Sequence, residues 1–126
     1  KDMCNRHDKS FYKKYKKWCD EYFYLPHRKE ARGIGGIFFD YKKDNFEKDF
    51  KFVKDVGVTF QILFNKIIRK KLKKKWTVKD KEIQYIKRGR YAEFNLLYDR
   101  GTKFGLQTGG NVDGILMSLP PLAKWK

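Results

Sequence analysis

Three observations predict an α+β fold for this chain. Apolar residues recur at helical steps over residues 10–23 and 46–71. A short, glycine-rich apolar run fills residues 33–40, as in a buried strand closely approached by backbone. Residues 91–99 alternate with a period of two. Strands interspersed with covering helices give the α+β pattern. With 126 residues the chain is long enough for one domain and too short for two, and an aromatic content of 17% can supply a core.

Taken in order, the first helix is predicted over residues 10–23, where Phe11, Tyr12, Tyr15, Trp18, Cys19, Tyr22 and Phe23 form an apolar face opposite a lysine-rich one. Pro26 stops it, and Gly33-Ile34-Gly35-Gly36-Ile37-Phe38-Phe39-Asp40 reads as the buried strand. Asp44 and Asn45 are placed to cap the next helix. Its stripe of Phe46, Phe50, Val53, Val56, Phe60, Phe64 and Ile67 persists to about Lys71, with Gly57 as a point of bending. Residues 78–87 read as a shorter helix, with Gly89 at its end. In the strand predicted over residues 91–99, Ala92, Phe94, Leu96 and Tyr98 share one side. Tyr91, Glu93, Asn95, Leu97 and Asp99 share the other, a polar face that either meets solvent or lines a polar cavity. Glycines 101, 105, 109 and 110 punctuate a turn-rich passage containing a short strand at residues 104–108. A helix over residues 112–119 ends at Pro120 and Pro121, and the tail LAKWK is amphipathic enough to dock.

Composition narrows the function. A net charge of +16, densest in KIIRKKLKKK at residues 66–75, points toward nucleic acid or an anionic surface. The competing reading is stronger: lysine far outnumbers arginine and falls between apolar residues at helical spacing, as on a solvated helix face. A basic nucleic-acid-binding module is therefore the alternative, and no RNA-binding signature accompanies it. No apolar run reaches the length of a membrane span. Cys4 and Cys19 make neither a disulfide framework nor a zinc spacing and read as reduced thiols, hence a reducing compartment, the cytoplasm with an organelle as the alternative. Opening at KDMCNRHD without an initiator methionine, the sequence reads as an excised segment. Gly33-Ile34-Gly35-Gly36 lacks the spacing of a Walker loop or a dinucleotide fingerprint.

Three blocks carry the functional signal: KKWCDEYF at residues 16–23, LPHRKEARGIGGIFFD at 25–40 and RGRYAEFNLLYDRGTKFGLQTGG at 88–110. In this order and spacing the chain closely resembles the oxygen-dependent coproporphyrinogen III oxidases, nearly from end to end. The resemblance implies that residues 1–126 are a single C-terminal segment of that domain, with the upstream part absent. It also implies a large antiparallel sheet flanked by helices on both faces, and a homodimer formed through residues 91–126. Members convert two propionates of coproporphyrinogen III to vinyl groups with molecular oxygen in heme biosynthesis. No organic cofactor is implied; a divalent metal at His27 is the one inorganic group the resemblance raises, and catalytic side chains are implied upstream.

A substrate with four propionates needs cationic forks. Arginine meets a carboxylate bidentately and stays charged, whereas lysine offers a mobile point charge. Arg28 and Arg32 match the family's HRxExRG motif and are the propionate-binding candidates, in competition with pairing to Glu30, Asp20 or another carboxylate. Arg32, directly before the glycine run, is the stronger of the two. His27 is a candidate acid, base or metal ligand, with a structural hydrogen bond as the default. Gly109, Gly110 and Asn111 match a GGR segment that approaches substrate, glycine allowing close backbone contact. Asn111 stands where the family has arginine, and Asp113-Gly114 where it has glutamate and serine. KIIRKKL likewise departs from the family's PIVERRK.

Overall fold

A computed structural model describes residues 1–125. It is mostly helical with a small antiparallel two-stranded sheet, compatible with an α+β fragment. The chain divides into two compact units, Lys1–Tyr22 with Gly36–Lys75, and Phe23–Gly35 with the stretch from Trp76 onward.

In the first unit, α1 (Asp2–His7), α2 (Phe11–Tyr22) and α3 (Phe46–Lys71) surround a core of Met3, Cys4, Tyr15 and Phe52. The helix predicted from the aromatic periodicity is α2, and its apolar face buries Tyr15 and Cys19. Asn45 caps α3, its side-chain oxygen accepting from the Lys48 amide at 3.0 Å. The helix runs through Gly57 without interruption. Only Phe52 of α3 is buried; Phe60, Phe64 and Ile67 are all more than half exposed. Inside this core Lys42 lies over the Phe11 ring at 4.6 Å and pairs with Asp49 at 2.7 Å. Burial opposes its charge, but the bonds to Asp49 and Tyr15 outweigh that and hold its pKa above the ordinary lysine value.

The strand predicted at residues 33–40 is absent. Residues 33–36 are exposed, and residues 37–40 carry no regular secondary structure. Their apolar side chains pack on α2 instead: Phe38 stacks on Tyr22 at 4.6 Å and meets Trp18 edge-on at 5.5 Å. The Phe38 amide donates to the Tyr15 carbonyl and the Gly36 amide to Cys19 Sγ at 3.2 Å. These bonds replace the ladder that a strand would need.

In the second unit, β1 (Tyr24–Leu25) and β2 (Glu30–Ala31) pair antiparallel across a 3₁₀ turn, Pro26–Arg28. Against them lies α4 (Val78–Leu97), followed by α5 (Arg100–Gln107) and α6 (Val112–Leu116). The predicted end at Gly89 and the predicted strand as far as Leu97 thus lie within one continuous helix, with Tyr98 closing it and Asp99 starting the next. A capping box starts it, with Thr77 and Asp80 satisfying each other's amides. Gly89 serves a different purpose than termination: a Cβ there would stand 2.5 Å from the Lys124 carbonyl, so glycine lets the C-terminal segment pack against α4. The strand predicted at residues 104–108 lies within α5, which Asp99 caps by accepting from the Thr102 amide at 2.7 Å. The helix predicted over residues 112–119 is the shorter α6. The unit is centred on Leu25, Ala92 and Phe94, with Asn95 the buried polar residue.

Candidate functional site

Lys29 adopts a left-handed conformation (φ 54°) at the end of the 3₁₀ turn, closing the β1–β2 connection so that His27 and Arg28 meet α4. The residue that receives them is Glu93, whose side chain is only 10% exposed. Arg28 donates through Nε to Glu93 Oε2 at 2.9 Å and through Nη2 to Oε1 at 2.6 Å, a bidentate fork. His27 Nε2 lies 2.7 Å from the same Oε2, and its Nδ1 lies 2.8 Å from the Tyr98 hydroxyl. Behind this group, Arg90 Nε donates to Glu30 Oε1 at 2.6 Å, while its buried Nη1 makes no hydrogen bond and stands 3.7 Å from Glu93 Oε1.

Electrostatics follow the geometry. The Arg28 guanidinium, against the cost of burial and with help from His27 and Arg90, draws the Glu93 pKa down to about 2. Reciprocally, Glu93 holds Arg28 above its ordinary value. Glu30 is lowered chiefly by its bond to Arg90. An ionised carboxylate only accepts, so His27 Nε2 carries a hydrogen toward Glu93; in the tautomer with Nδ1 bare, that nitrogen accepts from the Tyr98 hydroxyl. With both nitrogens so engaged, the imidazole has no lone pair directed at a metal. The arrangement does not fit a cation at His27, and no cluster of three His, Cys, Asp or Glu side chains with metal-binding geometry occurs among the described residues.

Arg32 has different surroundings. Its guanidinium carbon lies 4.2 Å from the Phe23 ring centroid, 4.9 Å from Tyr91 and 5.2 Å from Phe94. The rings supply cation–π attraction without using the N–H donors. No carboxylate among the described residues pairs with it. The structure therefore gives the two arginines of the motif contrasting environments: a carboxylate for Arg28 and an aromatic platform for Arg32.

Gly109, Gly110 and Asn111 form the junction between α5 and α6. Gly109 has φ 70°, and the Gly110 amide donates to the Gly105 carbonyl at 3.0 Å, the Schellman closure of α5. Asn111 caps α6 by accepting from the Gly114 amide at 3.0 Å. This segment is thus a pair of helix caps, and an asparagine is well suited to the cap.

Sequence reasoning placed His27, Arg28 and Arg32 together and missed Glu93, Tyr98 and Arg90. Arg90 and Glu93 stand three apart, a pairing visible only when residues 88–97 are read as helix. Read as a strand, the same residues face opposite ways or along one polar edge, and no link to His27 appears.

A family model described as coproporphyrinogen III oxidase matches residues 1–126. Among curated proteins, the oxygen-dependent coproporphyrinogen-III oxidase of Rickettsia rickettsii (strain Sheila Smith) is 61% identical over 126 residues, covering 99% of this chain and 45% of that protein. The enzymes of the same name from Rickettsia bellii (strain OSU 85-389) and Rickettsia conorii (strain ATCC VR-613 / Malish 7) are each 60% identical with the same coverage. The chain spans a little under half the length of the curated relatives it matches. With the motif blocks, the matched length and this identity in agreement, the chain belongs to the coproporphyrinogen III oxidase family.

Proposed function

We propose that the full-length protein carrying this segment is an oxygen-dependent coproporphyrinogen III oxidase, converting two propionates of its substrate to vinyl groups with loss of carbon dioxide. This segment supplies substrate-binding and dimerising elements. The observation that carries the site assignment is the environment of Arg32. Its charge rests on three rings and its N–H donors are not spent on a carboxylate, which suits a guanidinium that must receive a propionate. Phe23, Tyr91 and Phe94 also present apolar surface of the kind a macrocycle requires.

Arg28 and His27 take supporting places, linked through Glu93. Gly109, Gly110 and Asn111 form a second approach to the substrate, on the strength of the motif they match. Molecular oxygen is the co-substrate and no organic cofactor is required, because the reduced macrocycle is itself electron-rich. The protein then contributes orientation and charge placement. In the whole protein, β1 and β2 belong to a larger antiparallel sheet covered by helices on both faces. A homodimer forms through residues 91–126, supported by the exposed Phe104, Val112, Met117 and Trp125; Lys126 lies outside the described residues. Two buried free thiols suit the cytoplasm.

The test is an assay of the full-length protein with coproporphyrinogen III, with and without oxygen, following products as fluorescent porphyrins after oxidation. Product formation that requires oxygen is expected, with Arg32→Ala raising KM at least tenfold. A folded protein that yields no product under oxygen would overturn the assignment.

A further inference from the structure

We propose that Glu93, His27 and Tyr98 form a proton relay, with the Tyr98 hydroxyl as its substrate-facing end and Glu93 as the positioning residue. Geometry carries the relay itself; the identity of the proton donor, a pyrrole N–H, rests on the coproporphyrinogen oxidase reading.

Two short contacts link the three groups, Glu93 Oε2 at 2.7 Å from His27 Nε2 and Tyr98 Oη at 2.8 Å from Nδ1. They come from separate places: His27 from the 3₁₀ turn, Glu93 from within α4, and Tyr98 from the residue at which α4 ends (φ −126°, ψ −25°). Leaving the helix there lets the Tyr98 ring lie back on the imidazole, with centroids 5.6 Å apart and planes 28° apart. A merely structural His27, at 37% side-chain exposure, could be satisfied by water on either nitrogen. Here it faces a nearly buried carboxylate. A carboxylate on one imidazole nitrogen and a hydroxyl on the other is the arrangement by which histidine accepts a hydroxyl proton, its new charge offset by the anion behind it. The other charged groups around this anion are Arg28, whose Nε shares Glu93 Oε2 with the ring, and Arg90; both keep it ionised.

The step balances without an oxidant. The phenol O–H bond breaks toward His27 Nδ1, and the phenolate oxygen takes the pyrrole proton, whose bonding pair stays on the substrate nitrogen. The products are a deprotonated substrate, an intact phenol and an imidazolium held by Glu93. Return of the proton to solvent through the exposed His27 resets the relay.

Tyr98→Phe and Glu93→Gln in the full-length protein test this. Tyr98→Phe, which removes one hydroxyl and keeps the ring, should lower kcat by about a hundredfold with KM within about twofold. Glu93→Gln should lower kcat by about tenfold or more and displace the acidic limb of the pH profile. In ring-labelled protein, nitrogen NMR should find His27 hydrogenated at Nε2, and Glu93→Gln should disturb that tautomer. Unchanged kcat and pH profile in Tyr98→Phe would overturn the relay. If the wild-type protein forms no product, the coproporphyrinogen reading fails by itself, and the ring signals decide: an Nε2 tautomer lost in Glu93→Gln supports the relay, and one insensitive to both substitutions rejects it. Should Glu93→Gln not fold, Tyr98→Phe alone decides by the same two readouts.

Discussion

Arg28 and Arg32 sit four residues apart in one motif, yet one is paired with a carboxylate and the other lies on aromatic rings. Replacing Arg28 takes the bidentate partner from a nearly buried carboxylate, so Arg28→Ala should lower the melting temperature more than Arg32→Ala does. Arg32→Ala should leave folding closer to wild type and act mainly on KM; thermal melts beside steady-state kinetics of the full-length protein separate the two. Glu93 also makes stability depend on acid. Its pKa in the fold is about 2, below the ordinary 4.5, so the folded state favours the ionised form. That contribution is complete above about pH 4.5 and is lost as the pH falls toward 2. After allowance for solvent screening of the Arg28 side, it is on the order of 1–2 kcal/mol. Urea titrations at pH 6 and pH 3 should therefore show a smaller difference in Glu93→Gln than in wild type.

At the level of elements, the caps are where local sequence and structure agree most closely. Asn45 before Phe46 was legible because a short polar side chain followed by an apolar stripe at helical spacing has one good interpretation, and α3 starts there. The aromatic steps of α2 were legible for the same reason. Residues 91–99 were not, since Ala92, Phe94, Leu96 and Tyr98 alternate as a strand would. What decides in favour of helix is longer range: Thr77 and Asp80 start the element, no proline interrupts it, and its face at Gly89, Ala92 and Asn95 is buried. Gly89 misled because a glycine that ends a helix and one that admits another backbone look alike in sequence. The Lys124 carbonyl tells them apart. Gly89→Ala gains about 1 kcal/mol of helix propensity. Even so, it should lower the unfolding midpoint, because its Cβ would force the Lys124 backbone away. Thr77→Ala should cost about 1 kcal/mol by loss of the capping box, read from the same denaturant titration.

For the molecule as a whole, the motif blocks made the family legible, while the candidate site was only half legible. His27, Arg28 and Arg32 lie close in sequence, but Glu93 and Tyr98 join the first two from more than sixty residues away, a juxtaposition only the fold supplies. The large sheet implied by the resemblance is not formed by the described residues, whose sheet has two strands of two residues each. Phe60, Phe64 and Ile67 form an exposed apolar stripe on α3, the kind of surface another element normally covers. Because the relatives are more than twice as long as the matched stretch, the 126-residue chain made alone should self-associate and bind an apolar dye. The full-length protein should form nothing larger than the proposed dimer and should not bind the dye at the same concentration. Sedimentation and dye fluorescence on the two preparations check this.

Cys19, 3% exposed and with its sulfur met by the Gly36 amide, offers a clock for motion in this part of the chain. A thiol reagent can alkylate it only when the covering segment lifts. Under conditions where reclosing is fast, the alkylation rate divided by that of a free thiol gives the equilibrium constant for that opening. Peptide mapping distinguishes Cys19 from Cys4, which is enclosed by the first unit's core. Cys19 should modify well before Cys4, because a segment held by a few bonds lifts more readily than a packed core opens.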